Sequence, residues 1–222
     1  MEYLAVAAFG ILGVFVLAGI YRRDRAKLRA LRGAVFAPAY PLFESYRVTQ
    51  DSVDFPELRG RYRGHDFHVD ALVDMVTFRK LPSLWLRVSL LAPVPYRGTL
   101  DIMVRSQNVE FYSPANELDH AIQPPAGWPA GTIVKTDNPD AMPPAALVDP
   151  HMSFFAAPKA KEILITPKGV RLVYQTDQGT RAEYLVLRSA NFAAPQVTAE
   201  VMADLLDRAI ALYQDLAGRS AS

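Results

Sequence analysis

The stretch KEILITPKGVRLVYQ, residues 161–175, contains the pattern that decides the fold. Hydrophobic and polar residues follow one another on both sides of Pro167-Lys168-Gly169, which is a strong turn signal. Two strands joined by so short a turn pair antiparallel. The stretch therefore predicts a β-hairpin.

Two earlier segments show the same period of two. SLWLRVSLL, residues 83–91, and GTLDIMVRS, residues 98–106, each place every second apolar residue on one face, as half-buried strands do. The connection APVPYR, residues 92–97, is short and contains proline. We therefore expect these two strands to be antiparallel neighbours in a meander.

Other segments extend the predicted sheet. Alternation from Leu58 onward predicts a hairpin that turns near Gly64, and residues 131–136 and 181–189 each predict one more strand. Asn138 is placed to cap a short mid-domain helix that runs through residues 141–147 and stops at Pro150.

The C-terminal segment changes to a helical period. Thr198 is a suitable N-cap and Glu200 lies in the first turn. Apolar residues then recur at helical spacing: Met202, Leu205, Leu206, Ala209, Leu212, Tyr213 and Leu216. One amphipathic helix is expected to close an α+β domain.

Composition excludes some classes of function and favours none. The chain has 24 Lys and Arg against 23 Asp and Glu, so its net charge of +1 gives no field that would attract nucleic acid. It has no cysteine, which excludes disulfides and thiolate chemistry. No glycine-rich phosphate-binding motif occurs, and no cofactor is predicted.

The N-terminus reads as a membrane anchor. Residues 3–21, YLAVAAFGILGVFVLAGIY, carry no charge, and at about 1.5 Å per residue they nearly match a hydrocarbon core of about 30 Å. A cleaved signal peptide is the alternative, but Glu2 precedes the apolar run where positive charge is expected. We therefore expect a transmembrane helix over residues 1–21.

The flanking charges orient this predicted helix. Basic residues close to a span stay on the cytoplasmic side, and here they all follow it, beginning with Arg22, Arg23, Arg25 and Lys27. These four residues are expected at the interface with the lipid bilayer. The prediction is a single-pass protein of a bacterial inner membrane, with its N-terminus outside and its C-terminal domain cytoplasmic.

The chain is thus divided into three parts. Residues 1–21 form the anchor, residues 22–55 a basic juxtamembrane segment and linker, and residues 56–222 the α+β cytoplasmic domain. Apolar Phe36, Tyr40, Leu42 and Phe43 indicate that the linker docks on the domain. The expected fold is an N-terminal transmembrane helix followed by an antiparallel β-meander domain with a short mid-domain helix and a C-terminal amphipathic helix.

Three short motifs carry a family resemblance. They are Gly60-Arg61-Tyr62-Arg63-Gly64, Lys135-Thr136-Asp137-Asn138-Pro139 and Leu147-Val148-Asp149-Pro150. With these motifs the chain resembles bacterial single-pass membrane-anchored proteins whose β-rich cytoplasmic domain has no known function. The resemblance implies the fold of the domain after Pro56 and carries no catalytic residue onto it.

The segment GHDFHVD offers the best candidate for chemistry. On a regular strand Asp66, His68 and Asp70 share one face and present two carboxylates and an imidazole, which suits a cation or acid–base work. A complete metal site would need His120 or His151 from the long loop. The alternative is a solvated polar strand face, and no metal site is predicted.

Trp128 lies in the proline- and glycine-rich segment PPAGWPAG. An aromatic residue in such a loop either packs the loop against the domain or marks a contact with a partner. Both interpretations stay open at this point.

The sequence favours a membrane-tethered interaction or assembly module whose partners are the bilayer and another protein. One alternative is a domain that binds lipid or another apolar ligand between the sheet and the C-terminal helix. A second alternative is an enzyme that uses the Asp66, His68 and Asp70 face. Catalytic activity is not predicted.

Overall fold

The structure is a computed structural model that describes residues 2–74, 82–106, 112–178, 192 and 195–218, with side chains described from residue 9 onward. The strands are β1 Ser45–Thr49, β2 Glu57–Tyr62, β3 His65–Asp74, β4 Ser83–Leu90, β5 Leu100–Met103, β6 His120–Ile122, β7 Ile133–Thr136, β8 Ala160–Thr166 and β9 Gly169–Gln178. The helices are α1 Glu2–Gly33, α2 Ala145–Val148 and α3 Ala199–Gly218. Three 3-10 helices cover Ala37–Leu42, Ala115–Glu117 and Asp149–Ala156.

All described strands belong to one antiparallel sheet in the order β1-β2-β3-β4-β9-β8-β5-β7-β6. The α+β class and the hairpins β2–β3 and β8–β9 are confirmed. The prediction that β4 and β5 are neighbours is wrong. The β8–β9 hairpin inserts between them, so that β4 pairs with β9 and β5 pairs with β8.

One face of the sheet, the helix face, is apolar and covered by α3. Alternate residues of the central strands point to it, including Leu86, Val88, Leu172 and Ile163, all at most 2% exposed. Helix α3 buries one stripe against this face, where Met202, Leu206, Ala209 and Leu216 are fully buried. Thr198 begins the helix, since its Oγ1 accepts a hydrogen bond from the Val201 amide at 3.3 Å.

The opposite face, the polar face, carries charged side chains across the middle of the sheet. The strand registers place residues of adjacent strands in two neighbouring rows. One row contains His68, Ser89, Arg171, Leu164, Asp101 and Lys135, and the next contains Glu57, Asp70, Arg87, Val173 and Glu162.

Residues 34–55 contribute directly to the sheet and its core. Strand β1 pairs with β2 over its whole length, and Val35, Phe36 and Ala39 are fully buried. The Val197 amide before α3 donates to the Val35 carbonyl at 2.9 Å. This stretch is therefore built into the same folded unit as the strands that follow.

The middle of the chain differs in detail from the prediction. Strand β7 confirms the strand over residues 131–136. The helical segment begins later than expected, at Ala145, and Pro150 does not stop it but occupies the first turn of the 3-10 helix Asp149–Ala156. Proline suits that position because its amide would be unpaired there anyway. The strand predicted over residues 181–189 lies outside the described residues.

The predicted transmembrane helix is wrong. Among the described residues, no helix combines the length and the apolarity that crossing a membrane requires. The uncharged run ends at Tyr21. Four charged residues then follow within four positions. The predicted single-pass topology and its localisation lose their support with this helix.

Candidate functional site

The polar face holds an ion pair between two neighbouring strands. The Arg87 guanidinium on β4 donates from Nε to Asp70 Oδ1 at 3.1 Å and from Nη2 to Asp70 Oδ2. Asp70 is 6% exposed, so this bidentate pair compensates a nearly buried carboxylate. Both charges are therefore committed to each other.

Arg171 on β9 is the next cation in this face and lacks such a partner. Its Nε donates to Ser89 Oγ at 3.2 Å, and no carboxylate among the described residues forms a salt bridge with it. Burial, followed by the nearby charge of Arg87, lowers the pKa of Arg171 from its ordinary value. The terminal nitrogens of Arg171 retain donors that no described acceptor satisfies.

Two buried carboxyl groups lie beside Arg171. Asp101 on β5 is 1% exposed and Glu162 on β8 is fully buried. Ser113 donates its hydroxyl to Asp101 Oδ2, whereas Asp101 Oδ1 and both Glu162 oxygens are buried without a donor among the described groups. A carboxyl group donates only when it is protonated, so a proton on one of the two groups would supply a donor to the other.

The environment of the pair favours protonation. Burial raises the pKa of Asp101 to about 6, against the lowering effect of the Ser113 hydrogen bond. Burial, and secondly the charge of Asp101, raise the pKa of Glu162 well above its ordinary value. Two like charges at this depth are costly, so the environment of the pair favours retention of a proton. With one proton retained, the pair carries one negative charge beside the one positive charge of Arg171.

A cavity of about 440 Å³ opens on the polar face beside Arg171, where the β8–β9 turn meets the end of β4. Its polar lining consists of Ser89, Thr99, Thr166, Lys168 and Arg171. Its apolar lining comes from Leu90, Leu91, Leu164, Pro167 and Val170. No acidic side chain is among its lining residues, so the cavity combines positive charge with apolar walls.

Two smaller cavities lie on the helix face between α3 and the 3-10 helix Asp149–Ala156. Their volumes are about 340 and 140 Å³, and they share Ser153, Phe154 and Arg208. Arg208 donates from Nε to Asp204 Oδ2 at 2.8 Å at their rim. These cavities lie where the sequence placed an apolar ligand, between the sheet and the C-terminal helix.

The candidate residues on β3 contact separate partners. Asp66, His68 and Asp70 do share the polar face, but Asp66 lies 4.0 Å from Arg61, His68 lies 3.3 Å from Glu57 and Asp70 binds Arg87. Within the described ranges no group of three or more His, Cys, Asp or Glu side chains is placed to hold a metal.

The two histidines expected from the long loop do not reach that face of β3. His120 is exposed on β6, at the far edge of the sheet. His151 Nε2 lies 2.8 Å from Asp215 Oδ2 of α3, on the other side of the sheet. Sheet topology therefore separates the residues that a metal or catalytic site would have to combine.

Trp128 is half-buried and packs against the main core. Its indole Nε1 donates to Asp149 Oδ1 at 2.6 Å, which joins its loop to the 3-10 helix. This contact explains how the residue fixes the loop. Its role in binding a partner stays a prediction.

The basic residues after the apolar run lie on the exposed surface of α1. Arg22, Arg23 and Lys27 are exposed, and Arg25 donates to the Tyr21 hydroxyl at 2.8 Å and to Ser52 of the domain. Arg32 donates to the Val53 carbonyl at 3.0 Å, and Gln50 donates to the Arg29 carbonyl at 3.0 Å. The C-terminal part of α1 is thus held against the loop between β1 and β2.

The preceding part of α1 has no such cover among the described residues. We call residues 9–21 the apolar segment of α1. Nine large hydrophobic side chains in it are more than half exposed: Phe9, Ile11, Leu12, Val14, Phe15, Val16, Leu17, Ile20 and Tyr21. They project from all sides of the helix.

Sequence reasoning missed Asp101, Glu162 and Arg171. In LDIM and KEIL an acidic residue lies beside apolar residues of a predicted strand, and acidic side chains are normally solvated. Strand β4 did contain an indication that the polar face is buried. Trp85 lies on that face, and a large aromatic residue favours burial.

The described residues thus define an α+β protein with an open nine-stranded antiparallel sheet, one apolar face under a helix and one buried polar face. No protein-family model matches the chain, and no curated protein matches it. Among solved structures it is similar to the crystal structure of the mycobacterial trehalose monomycolate transport factor A, TtfA, with a TM-score of 0.42 and 17% identity over 82% of this chain and 95% of that chain. A likeness at this level supports no conclusion about function.

Proposed function

We propose that the protein is an interaction module that docks the apolar segment of α1 into an apolar groove of a partner protein. The observation that carries this proposal is the exposure of nine large hydrophobic side chains on one helix. Contiguous exposed apolar surface of this extent is rare on soluble proteins and marks a site of association.

The shape of the segment supports a groove as its receptor. Side chains at spacings of three and four residues, such as Leu12, Phe15 and Val16, are the anchors of helix-in-groove recognition. The contacts of Arg25 and Arg32 with the domain hold the base of the helix in place, which reduces the entropy lost on docking.

Photo-crosslinking in the native cell tests the proposal. A photoreactive residue at Phe15 is expected to give one defined protein adduct, which mass spectrometry identifies. The purified partner is then titrated with the full chain and with the double variant Leu12→Gln, Phe15→Gln. Binding is expected to weaken roughly a thousandfold, since each of the two buried anchors typically contributes about 2 kcal/mol or more.

Leu31→Gln is the matched control, because Leu31 is also exposed on α1 but lies beyond the apolar segment. Its affinity for the partner is expected to stay unchanged. Phospholipid vesicles form a second arm of the experiment. If Phe15 crosslinks only to lipid and the double variant stops floating with vesicles, the segment binds lipid and the protein-groove proposal fails.

A second candidate function is binding of an apolar ligand in the two cavities beside α3. Their shared residues make one groove with an apolar floor at Ile163, Leu172 and Leu212. Ala157→Phe is expected to fill the larger cavity and to abolish saturable binding of an apolar fluorescent probe. Unchanged probe binding in that variant, with an unchanged melting temperature, would remove this candidate.

A further inference from the structure

The cavity beside Arg171 combines features that the proposed interaction does not use. Arg171 supplies a half-buried cation and Lys168 an exposed cation at the rim. Thr99 and Thr166 add hydroxyl groups. Among the lining residues there is no acidic side chain to neutralise these cations. The charge of the site is therefore complementary to an anion.

The donors of Arg171 are fixed in direction. Its Nε is held by Ser89, which leaves the planar terminal nitrogens for a ligand. Arg87 cannot be displaced toward a ligand without unpairing Asp70, because its guanidinium is bound in a bidentate manner. Arg171 is consequently the cation in this face that remains available for bidentate binding of a carboxylate or phosphate.

The nearby carboxyl pair lies outside the cavity. Asp101 and Glu162 are buried beneath the face and do not line the cavity. Burial raises the pKa of both groups, so the pair carries less than its full negative charge near neutral pH. Lys168 at the rim adds a positive charge that no acidic side chain of the lining offsets.

The rest of the cavity is apolar. Its open apolar surface comes from Leu91, which is 48% exposed, and from the exposed Pro167 of the β8–β9 turn. A small hydrated ion would leave these walls uncovered, whereas an apolar chain attached to the anion would bury them. The volume of about 440 Å³ is within the range of small-molecule sites.

We propose that this cavity binds an amphiphile with an anionic carboxylate or phosphate headgroup, which Arg171 receives while the chain lies against Leu91 and Pro167. The rim lysine, Lys168, contributes a second and more mobile cation. This site is separate from the apolar segment of α1 and does not depend on its partner.

Isothermal titration of the full chain with four probes tests the site: decanoate, decyl phosphate, decanol and inorganic phosphate. Saturable binding of decanoate or decyl phosphate, tighter than that of decanol and of inorganic phosphate, is the expected result. The tighter of the two anionic probes identifies the headgroup. Equal binding of decanol would show that Arg171 is not used, and a preference for inorganic phosphate would show that the apolar walls are not used.

Three variants separate the site from general charge effects. Arg171→Gln is expected to weaken the anionic probe at least about tenfold, as loss of a charged hydrogen bond does. Leu91→Glu places an acid at the mouth of the cavity on an exposed position and is expected to weaken it similarly without affecting the fold. Arg97→Gln removes an exposed cation outside the lining and is expected to have no effect.

The Leu91 variant keeps the test valid if Arg171→Gln alters the melting temperature. Unchanged affinity in Leu91→Glu and Arg171→Gln together would overturn the proposal. An equal loss of affinity in Arg97→Gln would also overturn it, because the binding would then depend only on surface charge.

Discussion

Glu162 is a fully buried acid whose two oxygens have no hydrogen-bond donor among the described groups. Because burial raises the pKa of Glu162 and that of Asp101, the folded state holds their protons more tightly than the unfolded chain does. The stabilisation is fully present below the ordinary pKa of a carboxyl group and is lost as pH rises through the folded values. For Asp101 this window runs from 3.8 to about 6, and for Glu162 it extends higher.

Glu162→Gln is therefore expected to stabilise the protein at pH 8 by more than about 1 kcal/mol, because one unit of pKa corresponds to about 1.4 kcal/mol. The amide also donates to Asp101, whose Oδ1 is unsatisfied. Thermal melts between pH 4 and pH 8 measure the effect, and the variant is expected to show a flatter dependence on pH. Glu117→Gln is the control, because Glu117 is exposed. If the melting temperature depends on pH equally in the unmodified protein, Glu162→Gln and Glu117→Gln, the expectation is contradicted.

Gly169 occupies a position in the β8–β9 turn that no other residue fits. Its φ is +147°, and an added Cβ would lie 2.0 Å from the Leu90 carbonyl oxygen. Gly169→Ala is expected to lower the free energy of unfolding in urea by about 2 kcal/mol or more, through both clash and backbone strain. Gly131→Ala also has a positive φ, +75°, but open space around it, so it should cost clearly less.

The residues that matter most on the polar face could not be assigned from the sequence. Asp101 and Glu162 are acidic residues, which are normally solvated, and their burial depends on groups that other segments bring over them, such as Ser113. Asp66, His68 and Asp70 were correctly placed on one face. Their partners, however, come from β2 and β4, and pairing across strands is not visible in the local pattern.

At the scale of elements, the 3-10 helix Ala37–Leu42 and strand β1 show that the segment before residue 56 is part of the core. Phe36→Ala is expected to destabilise the protein by about 3–5 kcal/mol, the usual cost of removing a buried aromatic side chain. Chemical denaturation measures it. Tyr46→Ala on β1 serves as the control, because Tyr46 is 49% exposed and contributes mainly its stacking on Tyr40. Similar losses in both variants would contradict the burial of Phe36.

The positions of the helices and strands were easier to predict than the pairing of the strands. The period of two identified β4 and β5, and the helical period identified α3, because burial on one side imposes those periods. The turn signal Pro167-Lys168-Gly169 identified β8 and β9. The short connection between β4 and β5 suggested a hairpin. In the structure β4 instead pairs with β9, and β5 pairs with β8. This pairing is long-range and depends on how the apolar faces pack together.

At the scale of the whole molecule, a chain shortened to begin at residue 34 is expected to melt cooperatively, with a midpoint close to that of the full chain. A chain that begins at residue 56 loses β1, Phe36 and Val35, and leaves β2 as an unprotected edge. We expect it to melt at a lower temperature and to aggregate in the same buffer. Circular dichroism and light scattering compare the two, and equal midpoints would contradict the role of residues 34–55.

The position of the β8–β9 hairpin between β4 and β5 has a consequence during protein synthesis. Strands β1 to β4 leave the ribosome first, but β4 cannot complete its pairing until residue 178 has emerged. Throughout that interval a nascent chain carries an open edge and the bare apolar face of Leu84, Leu86, Val88 and Leu90. Closure of the sheet is therefore a late event after elongation has passed the hairpin, and chaperones have a defined surface to protect until then.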